Sequence, residues 1–118
     1  MKDYLVIDRD ESVAISIADL LISHGYNTDY VAAEQFAPPQ KKYQTIIVEM
    51  PAMDNPALKR FIQHARKKFG AAIVATASAK DYLRFAGEFR FDSVIIKPFP
   101  VAELLRNTQL AQYAQKAA

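Results

Sequence analysis

Short apolar runs rich in β-branched residues alternate along the chain with longer stretches whose apolar positions recur at helical spacing. The runs Tyr4–Ile7, Asn27–Val31, Thr45–Val48, Ala72–Ala75 and Ser93–Ile96 each predict a strand. Nearly continuous apolar strands separated by helical segments point to a sheet covered on both faces, so the expected fold is α/β, a doubly wound five-stranded parallel sheet. Between the strands, Val13, Ile17, Leu20, Leu21 and His24 fall on one helical face, and Gly25 can close that helix because it tolerates positive φ. The next connection, Ala32–Phe36, is cut by Pro38-Pro39 and predicts a turn or two of helix. Asp54-Asn55-Pro56 then supplies an N-cap and a first-turn proline for a stripe of Leu58, Phe61, Ile62, Ala65 and Phe69 that runs to Gly70. A fourth helix is expected at about Ala79–Gly87. A last one begins near Pro100, with Val101, Leu104, Leu105 and Thr108 on one face, and runs toward the polar tail Gln109–Ala118. No repeat, low-complexity tract or linker interrupts the pattern, so residues 1–118 read as one domain.

Composition narrows the chemistry. With 118 residues and 51% hydrophobic content, the chain can bury one real core and is too short for two. The formal charge of +2 is mild and Arg66-Lys67-Lys68 is the one basic block, so the charge gives no footprint of nucleic-acid binding. Cysteine is absent, which excludes disulfides, thiolate nucleophiles and cysteine-ligated zinc. No apolar run approaches the length that spans a membrane, and Met1-Lys2-Asp3 leads into a strand with no signal-peptide core, so a cytoplasmic protein with no membrane contact is expected. His24 and His64 lie on different helices without ligand spacing and read as surface or helix-end residues.

The ends of the strands carry the chemistry. In an open parallel sheet, ligands gather outside the carboxyl ends of the strands, so residues that close separate strands converge although distant in sequence. The first strand runs into Asp8-Arg9-Asp10, the third into Glu49, the fourth into Thr76 and the fifth into Lys97-Pro98-Phe99. A carboxylate cluster, a hydroxyl and a lysine are thereby expected around one pocket. The turn after the first strand, Asp8-Arg9-Asp10-Glu11, is acidic and free of glycine, which argues against a nucleotide- or flavin-binding cradle on the same fold.

This ordered set resembles the receiver domain of two-component response regulators, with the flavodoxin-like, CheY-like architecture. The likeness covers nearly the whole chain. It comprises the acidic cluster after the first strand, Tyr43–Glu49 in place of the strand that carries the phospho-acceptor, and Pro51-Ala52-Met53-Asp54 in place of a Pro-Gly-Met-Asp turn. Thr76-Ala77 and Lys97-Pro98-Phe99 complete it. The resemblance implies a domain in which an aspartate accepts a phosphoryl group from a histidine kinase. A magnesium ion, a hydroxyl and a lysine there meet the charge that spreads over the phosphoryl oxygens.

Residue by residue, the chain departs from that pattern where the phosphotransfer occurs. Glu49 stands at the acceptor position, its extra methylene displacing the carboxylate; Arg9 follows Asp8 where a metal-ligating carboxylate is usual, and Asp10 is one place further on. Only Met50 separates Glu49 from Pro51, and Val94 replaces the aromatic that couples phosphorylation to the fifth strand. Glu49 and Arg9 are therefore expected to form an ion pair, with Glu49 alternatively imitating a phosphorylated acceptor. Thr76 and Lys97 keep the phosphoryl-contact positions, although a lysine beside carboxylates is expected on electrostatic grounds alone. The resulting expectation is a degenerate receiver, a non-enzymatic interaction module with no catalytic residue, no cofactor and no bound metal. The competing expectation is a working receiver that uses Asp8 and Asp10 for magnesium and an unorthodox acceptor such as Asp8. Partners implied by the resemblance are proteins of bacterial signalling, a second copy of this chain among them. Their docking face is expected at Tyr82, Arg84, Phe85, Phe89 and Arg90, where aromatics interleave with charge.

Overall fold

The structure, a computed structural model, describes residues 2–32, 41–50, 55–80 and 91–117. The expected short connection at Ala32–Phe36 and the expected helix at Ala79–Gly87 fall largely outside those residues, as do all five residues of the expected docking face.

Five strands form one sheet: β1 (Lys2–Ile7), β2 (Thr28–Val31), β3 (Tyr43–Glu49), β4 (Ala72–Ala77) and β5 (Ser93–Ile96). Every pairing is parallel and the order is β2-β1-β3-β4-β5. Three helices accompany it among the described residues: α1 (Glu11–Ser23), α2 (Pro56–Phe69) and α3 (Val101–Ala117). The architecture is the doubly wound α/β fold expected from the sequence pattern.

Strand residues alternate between two cores because successive side chains leave opposite faces of a pleated sheet. Leu5, Ile7, Ile46, Val48, Ile73 and Ala75 pack with Leu58, Phe61, Ile62 and Ala65 of α2. Tyr4, Val6, Ile47, Val74 and Ile95 pack on the other face with Ala14, Ile17, Ala18 and Leu21 of α1 and Leu104 and Ala111 of α3. Burial on both faces is why these strands read as apolar runs rather than as polar–apolar alternation.

The element ends follow local chemistry. α1 starts at Asp10, whose carboxylate accepts the Ser12 N–H, and α2 starts at Asn55, whose side chain accepts the Leu58 N–H before Pro56. α2 stops at Gly70, which has φ of 64° and donates its N–H to Arg66 O. Three strands run beyond the apolar stretches that reveal them, β1 starting at Lys2 rather than Tyr4. β3 extends to Glu49 and β4 to Ala77 because Glu49 and Thr76 are register partners, and the ladder continues through polar residues where the neighbouring strand supplies partners. α3 likewise continues through the polar segment to Ala117.

Candidate functional site

β1, β3 and β5 lie side by side or nearly so, with only β4 between β3 and β5, so their carboxyl ends bring Asp8, Glu49 and Lys97 to one edge of the sheet. Asp8 is 1% exposed. Its Oδ1 accepts the Asp10 N–H at 2.9 Å and its Oδ2 lies 3.1 Å from Lys97 Nζ. Lys97 also reaches Glu49 Oε2 at 3.5 Å, so one ammonium spans the two carboxylates. The other oxygen of Glu49 is taken by Arg9 twice: Nε donates at 2.8 Å and the main-chain N–H at 3.3 Å. Two carboxylates and two cations thus form an alternating chain, Arg9–Glu49–Lys97–Asp8.

Burial pushes the Glu49 carboxyl up, but the Arg9 hydrogen bonds together with the charges of Lys97 and Arg9 outweigh it and hold the group below its ordinary value. Asp10 takes a different part. Its Oδ1 accepts the Ser12 hydroxyl at 2.6 Å and the Ser12 N–H at 2.9 Å, and these hydrogen bonds lower its pKa. It therefore serves the start of α1 while Asp8 faces Lys97.

Thr76 is buried on β4 beside Glu49, and its carbonyl accepts the Met50 N–H at 2.8 Å. Val94 is partly buried against the core on the α2 side. The peptide bond between Lys97 and Pro98 is cis. A groove of about 510 Å³ adjoins the set, walled by Ser12, Val13, Ser16 and Ile17 of α1 and by Lys97, Pro98 and Phe99.

The histidines stand apart. His24 caps the end of α1, with Nδ1 2.9 Å from Leu20 O, and His64 lies edge-on to the Phe69 ring. Among the described residues, no three His, Cys, Asp or Glu side chains come together as a metal-ligating group, and no helix is long and apolar enough to cross a membrane. The residues Tyr82, Arg84, Phe85, Phe89 and Arg90 lie outside the described set, so the expected docking face has no structural account.

Sequence reasoning missed two polar constructions at the opposite end of the sheet. Tyr43 donates its hydroxyl to Asp29 Oδ2 at 2.8 Å, tying β3 to the edge strand β2. Gln112, in the segment read as a polar tail, donates to Thr45 Oγ1 at 2.8 Å and to Tyr4 Oη at 3.3 Å, while Tyr4 donates to the buried Thr108. The available signal was the helical spacing of Thr108 and Gln112, which share the inward face of α3.

No protein-family model matches the chain, and no curated protein matches it. Solved structures do. A response regulator receiver protein from Sinorhizobium medicae WSM419 superposes with a TM-score of 0.75 at 16% identity, over 97% of this chain and 96% of the other. A response regulator receiver domain protein from Clostridium thermocellum gives 0.74 at 16% identity over 99% and 98% of the two chains. A structure described as an adenylate cyclase from Rhodopirellula baltica gives 0.70 at 15% identity over 98% and 90%. At these identities the likeness is one of fold, and the five-stranded parallel sheet with its flanking helices is the CheY-like receiver fold.

Proposed function

We propose that this chain is a pseudo-receiver, a phosphorylation-independent interaction module of two-component or phosphorelay signalling that meets protein partners and catalyses no reaction. The observation that carries the reading is the engagement of both Glu49 oxygens by cations, Oε1 by Arg9 and Oε2 by Lys97. A carboxylate that attacks phosphorus must present an oxygen lone pair in line with the leaving group, with the cations placed to meet the developing charge on the phosphoryl oxygens. Here the cations are already spent on the carboxylate itself. Asp8, the other candidate acceptor, is buried and has Oδ1 on the Asp10 N–H and Oδ2 on Lys97. The receiver folds of the structural neighbours support the signalling setting, and the same reading assigns the protein to the cytoplasm and to partners that recognise its surface rather than its phosphorylation state.

The deciding measurement is intact mass after incubation with acetyl phosphate and magnesium. The mass stays unchanged under this reading. A one-phosphoryl adduct on any residue would make the chain a working receiver with an unorthodox acceptor.

A further inference from the structure

We infer that Arg9 is a tethered cation that takes the place of a divalent metal in this pocket, so that the clasp between Asp8 and Glu49 closes without metal. The inference rests on the proposed pseudo-receiver reading of Glu49 and adds how the pocket is neutralised. Charge balance comes first. Arg9 and Lys97 offset the charges of the two carboxylates they contact, Glu49 and Asp8, and of the acidic cluster only Asp10, turned to Ser12, stands outside that balance.

Ligand availability gives the same answer. Magnesium demands near-octahedral oxygen coordination at about 2.0–2.1 Å and gives up its water reluctantly, so it needs carboxylate oxygens that can turn toward it. Glu49 Oε1 is pinched between the Nε and the main-chain N–H of one residue, Arg9, at 2.8 and 3.3 Å. Asp10 Oδ1 is taken by both the N–H and the hydroxyl of Ser12, which turns that carboxylate to the start of α1. The donor set therefore does not fit magnesium. A guanidinium, in contrast, is permanently charged, and its Nε–H matches a carboxylate oxygen in both direction and length. Because Arg9 belongs to the loop between β1 and α1, its bond to Glu49 ties that loop to the end of β3 across 40 residues of chain.

Thermal melts of the full chain and of Arg9→Ala, at constant ionic strength with and without millimolar magnesium or manganese, test the inference. The wild-type midpoint is expected to be unmoved by either metal. Arg9→Ala is expected to melt about 1–5 °C lower without metal, the range for a partly exposed ion pair in a domain of this size. Part of that loss should return when manganese is added. A saturable metal-dependent rise in the wild type overturns the inference, and so does an Arg9→Ala variant that melts like the wild type or ignores both metals.

If the variant does not fold, amide spectra of the wild type with manganese decide: unbroadened signals at Asp8, Glu49 and Lys97 support a metal-free clasp, and selective broadening there defeats it. The outcomes separate from those of the phosphorylation test. Metal binding by the wild type without a phosphoryl adduct removes the tethered cation and leaves the pseudo-receiver standing; an adduct removes the pseudo-receiver.

Discussion

Lys97 Nζ lies 3.1 Å from Oδ2 of Asp8, which is 1% exposed, so this ammonium is the side-chain counter-charge to a carboxylate removed from water. Breaking a buried pair by deleting one partner costs about 3–5 kcal/mol, because the remaining charge is left uncompensated. The Lys97 side chain is 29% exposed, which admits water and moderates the loss to about 2–3 kcal/mol for Lys97→Met. Adding Asp8→Asn to that variant should recover most of the loss, since no buried charge then remains. Urea unfolding of the two variants checks both statements. A double variant as unstable as Lys97→Met would mean that packing of the lysine stem, not charge, holds this corner.

Glu49 carries a pH dependence with a definite sign. Its folded-state pKa lies below the ordinary 4.5, so the ionised form is favoured by folding. The contribution is fully present above that ordinary value and is lost as pH falls through the lower folded-state value. Stability measured from neutral pH downward should therefore fall below about pH 4.5 more steeply in the wild type than in Glu49→Gln. The substitution itself should cost little at neutral pH, about 1 kcal/mol or less, because the Arg9 side chain that pairs with Glu49 is 45% exposed. Parallel acid profiles for the two proteins would show that Glu49 gains nothing from its cations.

Restoring an aspartate at the end of β3 should not restore phosphotransfer. In Glu49→Asp the carboxylate is shorter, but Arg9 still follows Asp8, and Asp10 still caps α1 through Ser12. Incubation with acetyl phosphate and magnesium should leave the intact mass of this variant unchanged. Robust labelling of the single variant would show that the side-chain length at position 49 was the whole obstacle and that Arg9 obstructs nothing.

The parts of the molecule that the sequence reveals are those where one residue type answers to one physical demand. Strands buried on both faces need unbroken apolar runs, and β1, β3 and β4 are readable for that reason, whereas the edge strand β2, half exposed, shows itself only by its β-branched and aromatic residues; Asn55-Pro56 and Gly70 mark the ends of α2 because few residue types fit a cap or a left-handed turn. Convergence of Asp8, Glu49 and Lys97 follows from parallel topology, in which strand ends share an edge. What stays hidden depends on side-chain direction. Asp10 stands two places from Asp8 in sequence, yet one turns to the helix start and the other to Lys97, a choice made by the backbone at the β1–α1 junction. Gln112 sits in a polar segment and still points inward, because Tyr4 and Thr45 offer it hydroxyls beneath α3. Polar residues that satisfy one another inside a core leave no mark in a hydrophobic pattern.

Tyr43 provides an alkaline counterpart to the acid test. Its ring is buried on β3 and its hydroxyl donates to Asp29 Oδ2 at 2.8 Å, with Lys41 Nζ a further 3.8 Å from the same oxygen. Burial, then the hydrogen bond to Asp29 and the charge of that carboxylate, push the phenol up from 10.0 to about 12. A group with a raised folded-state pKa contributes stability that is complete below its unfolded value, so this contribution should be intact below about pH 10 and lost as pH rises toward 12. Burial also raises the Tyr4 phenol, so tyrosine absorbance during an alkaline titration should show Tyr43 among the late-ionising phenols, and Tyr43→Phe should reduce the late step by one phenol. At neutral pH the same variant should lose about 0.5–1.5 kcal/mol, the net worth of one hydrogen bond, with the edge strand β2 loosened first. Hydrogen exchange at the amides of β2 reads that directly. Unchanged protection there, together with a late step of undiminished size in Tyr43→Phe, would show that Tyr43 is not among the late phenols and leave Asp29 without a part in holding the sheet edge.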